Sequence, residues 1–205
     1  MSDRKPEIRE TDSLAYADFL CKRQGRSWKR FVDVQAPYRW NIRRLNLGRV
    51  LDVGCGNGRN LEHLRGAGIG VDHNEAFVQQ CRTKGFEAYV PDEFERRAEE
   101  RPFLFDTMLL SHIVEHLDVD TAIDIVRSYV RYLRPEGRLA IITPQQLGYR
   151  SDPTHVTYYD SDRHRELFDR CGATLSRHFS FPFPTALGPY FTYNETVSVG
   201  TFRRS

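Results

Sequence analysis

Val50-Leu51-Asp52-Val53-Gly54-Cys55-Gly56-Asn57-Gly58 is the stretch that decides the fold. Its first residues read as a buried strand, its glycines as a tight turn, and the residues after it as a helix. Glycine admits positive φ and lets a ligand approach the backbone, so this corner predicts a binding site at the carboxyl end of a strand in an open α/β sheet.

Outward from this corner, short apolar runs alternate with amphipathic stretches. Strands are expected at 49–53, 68–71, 86–90, 103–110 and 137–142. Helices are expected at 58–65, 75–84, 93–100, 120–133 and 163–170. This alternation predicts βαβ units and a parallel sheet. Two extended segments, near 174–180 and 192–202, close the series. The Pro/Gly-rich connection at 181–190 has no room for a crossover helix, so these last strands should pair antiparallel. The expected fold is α/β: a Rossmann-like, doubly wound, seven-stranded, mostly parallel sheet with a C-terminal antiparallel hairpin. That architecture favours a methyltransferase over a dehydrogenase. Before the first strand, Leu14, Ala15, Ala17, Phe19, Leu20 and Cys21 form an apolar helical stripe, and a second run spans 38–47. Residues 1–47 are therefore expected as a helical lid on a core at 48–205, the whole being one domain.

Composition narrows the function. The chain has 205 residues, of which 40% are hydrophobic and 28% charged. Its 30 basic and 28 acidic side chains leave a net charge of +2, too little for a strong field on a polyanion, which disfavours a nucleic-acid partner. Residues 1–10 are nearly all polar, unlike the apolar heart of a signal peptide, and no run approaches the roughly 18 apolar residues of a membrane span. Cys21, Cys55, Cys81 and Cys171 show no CxxC pairing, which suits reduced thiols and a cytoplasmic location.

In a dinucleotide-binding G-x-G-x-x-G turn the third glycine would stand at residue 59, which is arginine. Asp52, two residues before the first glycine, would repel a pyrophosphate; it suits a cationic ligand carrying an ammonium and a sulfonium. Asp72 ends the second strand 20 residues later, where a carboxylate can accept both hydroxyls of an adenosine ribose.

With these residues the sequence resembles the class I S-adenosylmethionine (SAM)-dependent methyltransferases. Val50 to Gly58 looks like their first motif and Gly68-Ile69-Gly70-Val71-Asp72 like their second. Phe105-Asp106-Thr107-Met108-Leu109-Leu110-Ser111 looks like their fourth strand. Leu133-Arg134-Pro135-Glu136-Gly137 looks like the turn before the fifth, departing in Arg138 after the glycine. The resemblance implies SAM as cofactor. It places Gly54 and Gly56 near the methionine part and Asp72 near the ribose, with Asp52, Cys55 and His73 in the same cofactor-binding set. Asp92, with the backbone of Glu93 and Phe94, falls near the adenine, and Ser111 completes the set. Asp92 also fits a helix N-cap, and both roles can hold.

The acceptor end is read from Ser111-His112-Ile113-Val114-Glu115-His116-Leu117. If this segment is helical, His112, Glu115 and His116 share one face at i, i+3 and i+4. His155 follows the fifth strand, whose loop lies beside that of the fourth. Together these four make a plausible set for a divalent metal, Mn²⁺ or Mg²⁺. The arrangement is similar to the E-x-x-E-H plus histidine pattern of small-RNA 3′-terminal 2′-O-methyltransferases. It is also similar to the E-x-x-E-H segment of ubiquinone-biosynthesis O-methyltransferases, with His112 where both have glutamate. Without metal, His155 is the expected general base for a hydroxyl, with His112 as the alternative base and Glu115 beside them. The Glu-His pair can equally be a hydrogen-bonded support under the cleft.

Aromatic residues flank the cleft in sequence: Tyr16, Trp28, Tyr38 and Trp40 before the first strand, and Phe181, Phe183, Tyr190, Phe191 and Tyr193 around the hairpin loop. Phe181-Pro182-Phe183-Pro184 is expected to shape the substrate cleft or a homodimer contact. The expected function is O-methylation of a polar small molecule with adjacent hydroxyls, a saccharide first. There is a further resemblance to actinobacterial polysaccharide 1-O-methyltransferases of the methylmannoside type. The alternatives are an RNA 2′-O-methyltransferase, a catechol-type O-methyltransferase and a non-catalytic SAM-binding regulator.

Overall fold

A computed structural model describes residue 33 and residues 35–100 and 104–203. The helical stripe expected at 14–21 lies outside these residues, as do Tyr16, Trp28 and Phe103. Helix α1, Ala36–Arg44, precedes the sheet, with Pro37 in its first turn, where a missing N–H costs nothing.

Seven strands form one sheet: β1 Val50–Val53, β2 Gly68–Val71, β3 Ala88–Tyr89, β4 Phe105–Ser111, β5 Leu133–Pro144, β6 Ala173–Phe181 and β7 Glu195–Phe202. Their spatial order is β3-β2-β1-β4-β5-β7-β6. β1 pairs parallel with β2 and β4, and β4 with β5. β7 runs antiparallel to both β5 and β6. The expected mostly parallel, doubly wound sheet with a closing hairpin is thus the observed one. The helices between the strands are α2 Arg59–His63, α3 Glu75–Thr83, α4 Pro91–Glu100, α5 Val119–Tyr129, α6 Gln146–Arg150 and α7 Ser161–Arg170. Among the described residues no helix is long and apolar enough to cross a membrane.

Central parallel strands are covered on both faces, and their side chains divide with period two. Leu51, Val53, Met108, Leu110, Leu139 and Ile141 join one core with Phe94, Phe105, Leu167 and Phe168. Val50, Leu109, Ala140 and Ile142 join the other, with Ile42 of α1 and Phe181, Val197 and Val199 of the hairpin. By the same alternation Asp52 and Ser111 point to the α1 side, which is why the site gathers there.

Several boundaries differ from expectation. β3 shrinks to two residues because it is an edge strand paired only with β2. The helix expected to reach residue 133 stops at Tyr129, and a 3₁₀ turn, Val130–Tyr132, follows. β5 then starts at Leu133 rather than at 137. It absorbs the Arg134–Gly137 turn as an irregularity opposite Phe105 and Thr107, with Glu136 at φ 61°. β7 starts at Glu195 rather than 192, because the Asn194 amide is fixed by Gln145, Ser180 and the Phe183 carbonyl. Segment 111–117 is no helix: only Val114–His116 forms a 3₁₀ turn. His112 takes φ 59° while its N–H donates to Ile142 O, prolonging the β4–β5 ladder.

Phe94 is fully buried against Tyr132 (ring centroids 4.9 Å apart), Tyr129 (5.9 Å) and Phe105 (6.4 Å). Phe94→Ala should cost about 3–5 kcal/mol of unfolding free energy in a urea titration, the usual price of an aromatic-sized core cavity. A loss under about 1 kcal/mol would mean that α4 is not seated on this cluster.

Candidate active site

The glycine loop after β1 is held from inside. Gly54 and Cys55 both donate their N–H to Val71 O, at 2.7 and 3.1 Å, and Gly56 donates to Asp72 Oδ2 at 2.8 Å. A pyrophosphate site needs such donors free and pointing at the ligand; here three successive ones are already engaged. What the loop offers is bare backbone. Gly56, at φ 51°, has open space where a side chain would stand. A Cβ on Gly54 would fall 1.9 Å from Ile113 Cδ1, so Ile113 closes that side.

Two carboxylates flank the loop. Asp72 is buried, and besides Gly56 it accepts the N–H of Asn74 at 2.8 Å, while the Asn74 side chain caps α3. A carboxylate has room for about four donors, so a diol can still be accepted. Asp52 has no exposure; Asn60 Nδ2 reaches its Oδ1 at 3.5 Å, and Oδ2 is buried with no hydrogen-bond partner. Burial pushes its pKa up to about 7, against the Asn60 hydrogen bond, with the neighbouring Asp72 charge adding to the rise. A buried acceptor without a donor is the complement of an ammonium. Bare glycine faces, an orphaned Asp52 oxygen and a buried acid at the end of β2 together fit SAM.

The other expected cofactor residues divide. Ser111, at the end of β4, lines a recess under α1, and His73 stands beside Asp72, its Nδ1 3.7 Å from Oδ1. The Cys55 side chain is buried behind the loop, packed where Gly70 leaves space. Asp92 is the second residue of α4 rather than its cap, because the helix opens at Pro91; there it favours the positive end of the helix dipole. Phe94 turns into the core, and its N–H donates to Val90 O at 2.9 Å. Glu93 is engaged by Arg82.

Across the carboxyl edge of the sheet runs a line of charged groups. His112 bridges two carboxylates, with Nε2 2.9 Å from Glu195 Oε1 and Nδ1 3.2 Å from Glu115 Oε1. Burial opposes a charge on this ring, but Glu115 and Glu195 outweigh it and push its pKa up to about 9. His112 thus stands in an ion pair with both carboxylates, apart from the cluster that Glu115 forms with His116 and His155. Glu115 is buried; its Oε1 has the ion pair with His112, and its Oε2 has no hydrogen-bond partner. Its backbone carbonyl accepts the N–H of Val156 (2.7 Å) and Thr157 (3.0 Å), which draws the loop after β5 against the 3₁₀ turn.

That draw brings His155 to His116, with ring centroids 4.7 Å apart. One ligand atom each of Glu115, His116 and His155 lies within 4.8 Å of the others. His155 Nδ1 donates to Tyr149 O at 2.7 Å, and His116 Nδ1 meets Thr154 O at 3.3 Å. In the neutral form each ring then carries its lone pair on Nε2. Burial lowers the His116 pKa.

Sequence reasoning missed Glu195, 83 residues from its partner His112. It also missed Arg59, Asn60 and His63, which line a small recess with Tyr38, Asn41 and Ser111. The one signal for them was their place in the first turns after the glycine loop. Phe181 is buried beside α1: it packs edge-on to Tyr38 and stacks on Trp40, and the Tyr38 hydroxyl donates to Tyr193 O.

The His112 bridge sets a pH dependence. A raised pKa means that its contribution to stability is complete below the unfolded value near 6.5 and is lost as pH rises through about 9. From pH 7 to 9.5 the wild type should lose on the order of 2 kcal/mol more than His112→Gln in urea titrations. Parallel pH profiles would show that no such bridge forms.

Comparison with known proteins identifies the corner. A family model described as a methyltransferase domain matches residues 21–182, most of the chain. A ubiquinone biosynthesis O-methyltransferase of Xanthomonas oryzae pv. oryzae is 34% identical over 110 residues, 49% of this chain and 45% of that protein. A tRNA U34 carboxymethyltransferase of Pseudoalteromonas translucida is 32% identical over 104 residues, 46% of this chain and 31% of that protein. The match thus spans less than half the length of these relatives. Among solved structures, a SAM-dependent methyltransferase from Archaeoglobus fulgidus superposes with a TM-score of 0.63 at 20% identity, covering 90% of this chain and 99% of that one. Magnesium protoporphyrin IX methyltransferase from Synechocystis, with S-adenosylhomocysteine (SAH) bound, gives 0.64 at 13% identity, covering 94% and 96%. The chain belongs to the class I SAM-dependent methyltransferase domain family.

Proposed function

We propose that the chain methylates a hydroxyl oxygen of a polar small molecule, a saccharide in the first place, with His155 as the proton acceptor. The observation that carries this is the His155 ring, whose Nδ1–H is tied to Tyr149 O so that Nε2 stands basic beside the buried Glu115. SAM supplies the electrophilic methyl group when bound, so the chain has only to align the acceptor oxygen and take its proton. In this proposal Asp72 accepts the ribose hydroxyls, Asp52 takes the ammonium, and Gly56 leaves its face bare. His155 Nε2 removes the hydroxyl proton, and the Glu115 carboxylate offsets the imidazolium charge that results. Oxygen as the acceptor atom is supported by relatives named as O-methyltransferases. A saccharide is supported by the exposed rim of Trp40, Phe183, Tyr190 and Tyr193, flat faces suited to C–H surfaces. An RNA 2′-hydroxyl is the alternative acceptor, with a net charge of only +2 against it.

A second reading is favoured by the buried oxygens of Glu115, of which Oε1 meets only His112 and Oε2 has no hydrogen-bond partner. A divalent cation, Mn²⁺ or Mg²⁺, held by Glu115, His116 and His155 would satisfy them. Both imidazoles are already braced at Nδ1 by carbonyls, the support that metal-bound histidines have. The cation would then lower the pKa of the acceptor hydroxyl, with His155 serving as a ligand.

Asp72→Ala should weaken SAH binding by about 1.5–3 kcal/mol in calorimetry, the worth of charge-assisted hydrogen bonds. Unchanged affinity would remove Asp72 from the ribose. For the acceptor end, transfer from labelled SAM to a saccharide panel should fall about 10²–10⁴-fold in His155→Ala and be insensitive to chelators if His155 is the base. Loss on chelation and recovery with Mn²⁺ would favour the cation instead. Full activity in His155→Ala would defeat both.

A further inference from the structure

Arg59 stands in the recess between the glycine loop and α1 with nothing to bind. It is half-buried, and its guanidinium makes no hydrogen bond or ion pair with any described residue. The carboxylate that shares the recess, Glu195, is taken by His112 at 2.9 Å. Asp52 acts on Arg59 electrostatically but gives its Oδ1 to Asn60. Half-buried guanidiniums are ordinarily paired, because their five donors lose water without recompense.

A second, independent sign lies beside it. His63 also lines the recess; it is 4% exposed, and its Nδ1 is buried with no partner. Burial and the charges of Arg59, Arg39 and Arg43 hold its pKa down to about 4, so the ring is neutral and can donate one N–H. Arg43 is fixed on the His63 carbonyl at 2.8 Å, which keeps a third positive charge nearby. Two buried or half-buried donors without acceptors, in a positive field, in one small recess, describe the complement of a planar anion.

We propose that Arg59, seconded by His63, is a carboxylate-binding subsite at the floor of the active-site recess. The fork of Arg59 takes the carboxylate in bidentate fashion, and His63 donates to its flank. This rests on SAM as the methyl donor and deepens the account of that site. Two ligands bring such a group: the methionyl end of the cofactor, whose ammonium would meet Asp52 one turn away, and an acceptor that itself carries a carboxylate.

Calorimetry with paired probes separates these sources. SAH and its decarboxylated analogue share the adenosine, sulfur and ammonium and differ only in the carboxylate. If the group is the cofactor's, the wild type should bind SAH about tenfold or more tighter than the analogue, and Arg59→Gln should abolish that preference while keeping its affinity for the analogue. If it is the acceptor's, Arg59→Gln should bind SAH normally, and the SAH complex should lose a wild-type preference for glucuronate over glucose. Arg59→Lys should restore part of either preference by charge alone. Equal wild-type binding of SAH and its analogue, with no glucuronate preference, would overturn the subsite and leave the cofactor assignment standing. Failure of the wild type to bind either nucleoside would overturn both.

Discussion

The cofactor end depends on one short set of hydrogen bonds, in which the last carbonyl of β2 and the carboxylate after it hold three N–H groups of the glycine loop. Val71 and Asp72 thereby fix where the chain crosses from β1 to α2, and with it the direction of Asp52, Arg59 and Asn60. Without that tie the loop would present donors to solvent, and a phosphate would be as good a guest as a sulfonium. With it, the loop presents carbon and the acids present charge. The preference for a cationic nucleoside is thus set by donors used internally as much as by residues facing the ligand.

At the acceptor end His112 plays the corresponding part. Its positive ring joins the 3₁₀ turn after β4 to the start of β7, so two carboxylates can stand within a few ångströms in a nearly dry place. Both carboxylates end on one imidazole, and Glu115 stands beside His155 as well. The charge line from Arg59 through Glu195, His112 and Glu115 to His155 therefore works as a set.

The legible parts of this chain were those with local causes. A strand, three glycines and a helix within one short stretch announced the corner, and Asp52 and Asp72 followed from their places at strand ends. The antiparallel hairpin followed from the lack of room for a helix between 181 and 190. What failed was whatever depends on direction or distance. Asp92 fitted a helix N-cap, but the helix opens one residue earlier, at Pro91, and takes Asp92 inside. His112 fitted a helical i, i+3, i+4 pattern, yet its N–H was taken by Ile142 O, and the helix never formed. Glu195 had no local mark at all. Its role comes from β7 lying next to β5, a neighbour relation that no window of sequence contains.

That neighbour relation also bears on how the chain acquires its shape. β7 lies between β5 and β6, although both precede it in the chain. As the polypeptide emerges from the ribosome, β5 must wait with an open edge while β6, its later companion, has nothing to join. The sheet closes only when residues 195–202 insert between them. Such late, non-local pairing slows folding, and an unsatisfied edge of apolar strand invites neighbouring chains. The nascent protein is therefore most exposed to aggregation in the interval before its eighth-from-last strand residue, Glu195, and those after it are made. Chaperone demand during synthesis should be concentrated there.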